Sequence, residues 1–227
     1  AEIDIALEAH GERPISVLNR LGLLGPRTQC VHMTALSDDD IELLSSTNSH
    51  VIHCPRSNMK LASGISPVDR LLKAGVNVAL GTDGAASNNR LNMLAELQMA
   101  ALLAKLESLE ATALPATRAL ELATMGGARA LGLEKTIGSI EPGKAADLIA
   151  LDLSQPHTQP LNNIISQIVY ATSGSELTHS WVAGQPLVRD GQPVTLTPAD
   201  ISARVARWPE KFKAHQASID QTGSDLS

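Results

Sequence analysis

VNVALGTDGAASNN, residues 76 to 89, decides how the rest of this chain is read. Val76, Val78 and Leu80 favour a strand, and Ala79 keeps the run apolar on both faces, as in a buried parallel strand. Asp83 follows at the carboxyl end, where α/β proteins place their chemistry. Gly81 and Gly84 bracket it and leave the backbone free to turn. A carboxylate there is costly unless it meets a metal, a cation or a substrate. The competing reading of Asp83 alone is an Asx turn or a helix cap.

The segments upstream shift that balance. Gln29 to Thr34 (QCVHMT) reads as a short strand delivering His32 at its end. Ser49 to Gly64 (SHVIHCPRSNMKLASG) reads as a strand ending at His53, then a long polar loop with Asn58 and Lys60. Helices are expected between them: Leu36 to Ser46, capped by Ser37 with Asp38, Asp39 and Asp40 in its first turn, and Pro67 to Ala74. The order strand–helix, three times over, brings His32, His53 and Asp83 to one rim, and such rims collect function.

Composition narrows the classes. With 227 residues the chain can bury a real core as one or two domains. The net charge of −6 and the absence of a basic stripe argue against nucleic acid and a polybasic membrane anchor. No apolar run reaches the ~18 residues of a membrane span, and the start Ala1-Glu2-Ile3-Asp4 is no signal peptide. Cys30 and Cys54 are expected as buried, reduced thiols, which suits a cytoplasmic enzyme. Aromatics at 2 % leave the core to Leu, Ala, Val and Ile and provide no stacking platform.

Downstream, Leu91 to Leu109 carries a helical stripe, and Leu114 to Met125 reads as another helix. Gly126-Gly127 suggests close helix packing rather than a phosphate cradle, because neither GxGxxG nor a P-loop lysine accompanies it. From Ile137 the texture is short strands and turns: Asp147 to Leu151, Ile164 to Ala171, and a hairpin of His179 to Val182 with Pro186 to Val188 around Ala183-Gly184. Ala199 to Ala217 is expected as an amphipathic helix with Ile201, Val205, Trp208 and Phe212 on one face, and Gln221 to Ser227 as a loose tail. Ser57-Asn58-Met59-Lys60 matches the SxxK string of serine acyl-enzymes, yet its companion motifs are missing. His50 and His53 lie on opposite strand faces and cannot chelate one ion together. His10, His157, His179 and His215 read as surface residues.

The strings VHMT at His32, HCPRSNMKLASG from His53, GTDGAASNN from Gly81, ATMGGARALGL (123 to 133) and IGSIEPGKAADLIALDL (137 to 153) carry a family resemblance. The chain resembles the C-terminal part of an amidohydrolase-superfamily enzyme. It is most similar to the branch of 5-methylthioadenosine/S-adenosylhomocysteine deaminases and related chlorohydrolases. The fold class implied is α/β: residues 1–133 as the C-terminal part of a (β/α)8 TIM barrel, and 134–227 as a β-sandwich segment with a C-terminal helix. The family's HxH pair, its strand-five His and its catalytic Glu have no counterpart here, so the chain is expected to begin after strand five. A fragment, a proteolysed product and a split protein all remain open.

The resemblance implies hydrolytic deamination. One divalent ion, zinc, would be held by Asp83 and by histidines outside this chain. Asp83 would accept the proton of the attacking water, and His32 would hydrogen-bond that water and steady the developing charge. His53 is a candidate substrate-pocket residue. Expected partners are a small nucleoside, the missing half of the barrel and further copies in a homo-oligomer. Two other readings stand beside this one: a hydrolase displacing chloride or an amine from another ring, and a non-catalytic half that acts only with a partner chain.

Overall fold

The computed structural model describes residues 2–224, with side chains from residue 3 to 216. The helices α1 (Glu2–His10) and α2 (Pro14–Arg20) lead into β1 (Gln29–Val31), α3 (Asp38–Ser46), β2 (His50–His53), α4 (Pro55–Lys60), α5 (Val68–Lys73) and β3 (Val78–Leu80). Then come α6 (Ala85–Asn88), α7 (Met93–Ser108), α8 (Ala116–Glu121) with a π-turn over Leu122–Gly126, and α9 (Gly127–Ala130). The rest is β4 (Leu148–Leu151), a 3-10 turn at Pro156–Thr158, α10 (Ile164–Ala171), β5 (Leu177–Val182), β6 (Gln185–Arg189), β7 (Gln192–Pro193), α11 (Pro198–Val205) and α12 (Trp208–Ser224).

The first sheet is parallel, in the order β1-β2-β3. Its register sets Val31 against Ile52 and His53 against Leu80, so the carboxyl ends align. Helices cover one face, as parallel connections require. Leu44, Leu71 and Leu97, each 0–1 % exposed, meet Val51 and Val78 in one cluster. Full burial of each such side chain contributes about 1.5–3 kcal/mol. Ser37 closes α3 with a reciprocal capping box: its hydroxyl accepts from Asp40 N, and the Asp40 carboxylate accepts from Ser37 N. On α7, Leu97, Ala101 and Ala104 are buried as the stripe predicts, while Leu91 lies before the helix and is exposed.

The second sheet is antiparallel, β4-β5-β6-β7, with Ala183 and Gly184 both at positive φ in the hairpin turn. Four expectations are corrected. Residues 164 to 171 form a helix rather than a strand. Asn163 caps it by accepting from Ser166 N, and Ile165, Ile168 and Val169 pack on the first core. The polar run after His53 is not a loop: Pro55 opens α4, with its locked φ preset for a helix start. The single C-terminal helix is two, parted at Ala206 and Arg207. The expected tail is helical as far as Ser224, and residues 225–227 lie outside those described.

Candidate functional site

The two side chains expected to carry chemistry meet at the carboxyl rim of the first sheet. His32 follows β1 and Asp83 follows β3, with His32 Nε2 3.8 Å from Asp83 Oδ2. Both residues turn into the site through left-handed backbone, φ 72° at His32 and 58° at Asp83. Non-glycine residues avoid that region unless their surroundings enforce it, and such strain gathers at functional positions.

Asp83 is held on both oxygens. Ser57 Oγ donates to Oδ2 at 2.7 Å, Ser87 Oγ donates to Oδ2 at 2.8 Å, and Gly84 N donates to Oδ1 at 2.7 Å. The bonds from Ser57, Ser87 and Gly84 hold the carboxyl at a pKa of about 2, so it is ionised at neutral pH. A carboxylate offers about four acceptor directions. Three are filled, and one on Oδ1 stays open. Asp83 therefore braces the start of α6, as the cap reading has it, and lies at the rim beside His32.

The braces come from α4. Ser57 reaches Asp83, and the Asn58 amide oxygen lies 2.8 Å from His32 Nδ1. Lys60 Nζ donates to Ala86 O at 2.8 Å and also meets the Asn89 side chain. Beneath them Glu96, fully buried, accepts from Arg56 N at 3.1 Å and from Asn88 Nδ2 at 2.7 Å, tying α4 to α6. Burial pushes the Glu96 carboxyl up, opposed by the bonds from Asn88 and Arg56. The SxxK string is thus scaffolding for the rim.

His53 is only 1 % exposed, and burial, aided by the nearby His32, lowers its pKa to about 4. It is neutral at pH 7 and presents no surface to a ligand in this chain. His50 is turned away, with Nε2 3.1 Å from Pro26 O. Cys30 and Cys54 are buried and free. His157, expected at the surface, is half-exposed but bonds the buried Glu176 at 2.7 Å. His179 stacks on Trp181 at 5.3 Å. Beside His32 a cleft of about 680 Å³ opens against Ile15, Leu18, Val31, Met33 and Leu61.

Sequence reasoning missed Ser57, Asn58, Ser87 and Glu96. The string SNMK and the second Ser of GAASNN were visible signals, but which side chains they touch depends on α4 crossing over the loop from β3. Carboxylate and imidazole are donors that suit zinc. No group of three or more His, Cys, Asp or Glu that could hold a metal occurs among the described residues. No helix among them is long and apolar enough to cross a membrane.

The model of the amidohydrolase family matches residues 1–187. A 5-methylthioadenosine/S-adenosylhomocysteine deaminase from Teredinibacter turnerae is 51% identical over 213 residues, covering 94% of this chain and 48% of that protein. A 5'-deoxyadenosine deaminase from Methanothermobacter thermautotrophicus is 47% identical over 191 residues, covering 84% and 44%. A zinc-bound adenosine deaminase structure from Xanthomonas campestris superposes with a TM-score of 0.92 at 44% identity, covering 94% and 48%. A zinc complex of atrazine chlorohydrolase from Arthrobacter aurescens gives 0.84 at 25% identity, covering 90% and 45%. The chain spans about half the length of the relatives it matches.

Proposed function

The chain belongs to the amidohydrolase family and forms a portion of its barrel, and on that premise we propose that it is the C-terminal part of a zinc-dependent deaminase of 5′-methylthioadenosine or S-adenosylhomocysteine. The observation that carries this reading is the meeting of His32 Nε2 and the ionised Asp83 at 3.8 Å on one rim. Names of the relatives supply the substrate class. Residues 1–133 form the barrel part, against which α10 also packs, and 134–227 the sandwich segment. The remaining metal ligands and the proton donor to the purine ring belong to the other half of the protein. We assign the assembled enzyme to the cytoplasm, in keeping with the two free thiols of this chain, and to a homo-oligomer.

When bound, a zinc ion supplies Lewis acidity and brings the pKa of water down toward ~7. Asp83, with histidines from the other half of the protein, would hold it, and its carboxylate would take a proton from the attacking water. Ser57 and Ser87 keep that carboxylate ionised and aimed. His32 hydrogen-bonds the water as it adds to the adenine C6, and ammonia leaves to give an inosine-type product. His53 stays neutral beneath His32 and adds no competing charge.

In the complete protein Asp83→Ala should abolish turnover of both nucleosides and reduce zinc retention. Turnover at the wild-type level would overturn the assignment. The likeness to atrazine chlorohydrolase favours a second reading, ring hydrolysis of a triazine. Assaying the complete protein on both substrate classes separates the two.

A further inference from the structure

His32 hangs from a strained stretch, with φ 72° there and 47° at Met33. The backbone places its Cα, and neighbours must orient the ring. The contact on the inner edge is Asn58, 2 % exposed, whose Oδ1 lies 2.8 Å from Nδ1. Asn58 cannot drift, because α4 is anchored on both sides of it. Ser57 bonds Asp83, the Arg56 backbone bonds the sealed Glu96, and Lys60 bonds Ala86 O. An amide oxygen only accepts, so Nδ1 carries a hydrogen, and in the neutral ring Nε2 is then bare.

Nε2 and Asp83 Oδ2 are then two acceptors 3.8 Å apart with no hydrogen between them. Such a contact is relieved when a donor reaches Nε2, and a water molecule can offer it an O–H group while Ser57 and Ser87 already occupy Oδ2. We propose that Asn58 is a positioning residue for the reaction: its amide oxygen holds His32 as the Nδ1–H tautomer, so that the imidazole accepts a hydrogen bond from the attacking water instead of donating one to the developing charge. The role of that water rests on the deaminase reading, whereas the tautomer itself does not. The opposite amide orientation would present Nδ2 to the ring and put the hydrogen on Nε2, facing the Asp83 carboxylate, so the two arrangements differ in which ring nitrogen carries the hydrogen.

Neutron diffraction from the perdeuterated complete protein, loaded with zinc, reads the answer directly. Deuterium is expected on His32 Nδ1, none on Nε2, with the Asn58 oxygen facing the ring; deuterium on Nε2 overturns the proposal. Kinetics of the complete protein on 5′-methylthioadenosine provide the second arm. Asn58→Leu should lower kcat about 10- to 100-fold, the usual loss when a partner that orients a site histidine is removed, with little change in KM. Asn58→Asp, which keeps an accept-only oxygen at the same place, should recover most of that loss. Unchanged kcat in Asn58→Leu refutes the positioning role. If that variant does not fold, the neutron result on the wild type decides alone. If the wild type deaminates neither nucleoside, the deaminase reading fails while the hydrogen position still tests the tautomer.

Discussion

Gly126→Ala and Gly127→Ala should move stability in opposite directions, although the residues are adjacent and both have helical backbone, φ −58° and −63°. Neither glycine is needed for its conformation. A Cβ at Gly126 would lie 2.4 Å from the carbonyl oxygen of Val78 and 3.3 Å from that of Glu121, whereas one at Gly127 meets nothing within 4 Å. Relief to the 3.0 Å that real Cβ atoms tolerate must push the π-turn off β3. Both sides of the clash are backbone, so no rotamer absorbs it. Overpacking of this kind costs about 1–3 kcal/mol. The bond from Asn77 Nδ2 to Gly126 O, 3.0 Å, is stretched as well and adds about 1 kcal/mol. Gly126→Ala should therefore destabilise by about 2–4 kcal/mol, and Gly127→Ala should stabilise by about 0.4–1 kcal/mol through the unfolded chain. Urea unfolding of the complete protein, followed by circular dichroism, gives both values from the midpoints. Because β3 leads directly to Asp83, Gly126→Ala should also lower turnover. A shift of the same sign in both variants, or none in Gly126→Ala, refutes the packing argument.

Glu96→Leu should cost about 2–4 kcal/mol, since it strands the Arg56 N–H and removes an acceptor from Asn88 in a sealed site; urea unfolding at neutral pH reads it, and a stability equal to wild type would show the carboxylate to be dispensable. Burial disfavours ionisation of Glu176, but bonds from His157, Ser173 N and Gly174 N outweigh it and hold the pKa at about 2, below the ordinary 4.5. A depressed carboxylate stabilises the fold above its unfolded value, so this contribution is full above pH 4.5 and disappears as pH falls toward 2. Thermal melts across that window should fall less steeply for His157→Ala, and an identical profile would dismiss the pairing. The 227-residue chain alone should not retain one zinc per molecule after dialysis, and elemental analysis finding stoichiometric metal would mean that ligands have been overlooked.

Much of the rim was legible because strand ends announce themselves. An apolar run into a His or Asp followed by glycine or small residues marks where a parallel strand stops, and β1 and β3 end as VHMT and GTDGAASNN suggest. Residues 164 to 171 (IISQIVYA) misled because β-branched residues favour strands locally. The cap at Asn163 and the burial of Val169 against α7 and α8 override that preference. Helix α4 was obscured by its length, six residues being too few to display a period. Asn58 and Ser57 could be seen as polar residues, but their partners lie 26 positions away in each direction. Only the parallel register that stacks β1, β2 and β3 side by side converts those separations into contacts.

The left-handed backbone at residues 32, 33 and 83 has a consequence for anyone evolving this protein toward heat tolerance. Glycine would relax the backbone at residue 32, whereas at 83 it would also forfeit the bonds from Ser57, Ser87 and Gly84. A library screened for folding alone should thus enrich glycine where the imidazole now stands. The hardiest survivors would be the ones that can no longer turn over anything.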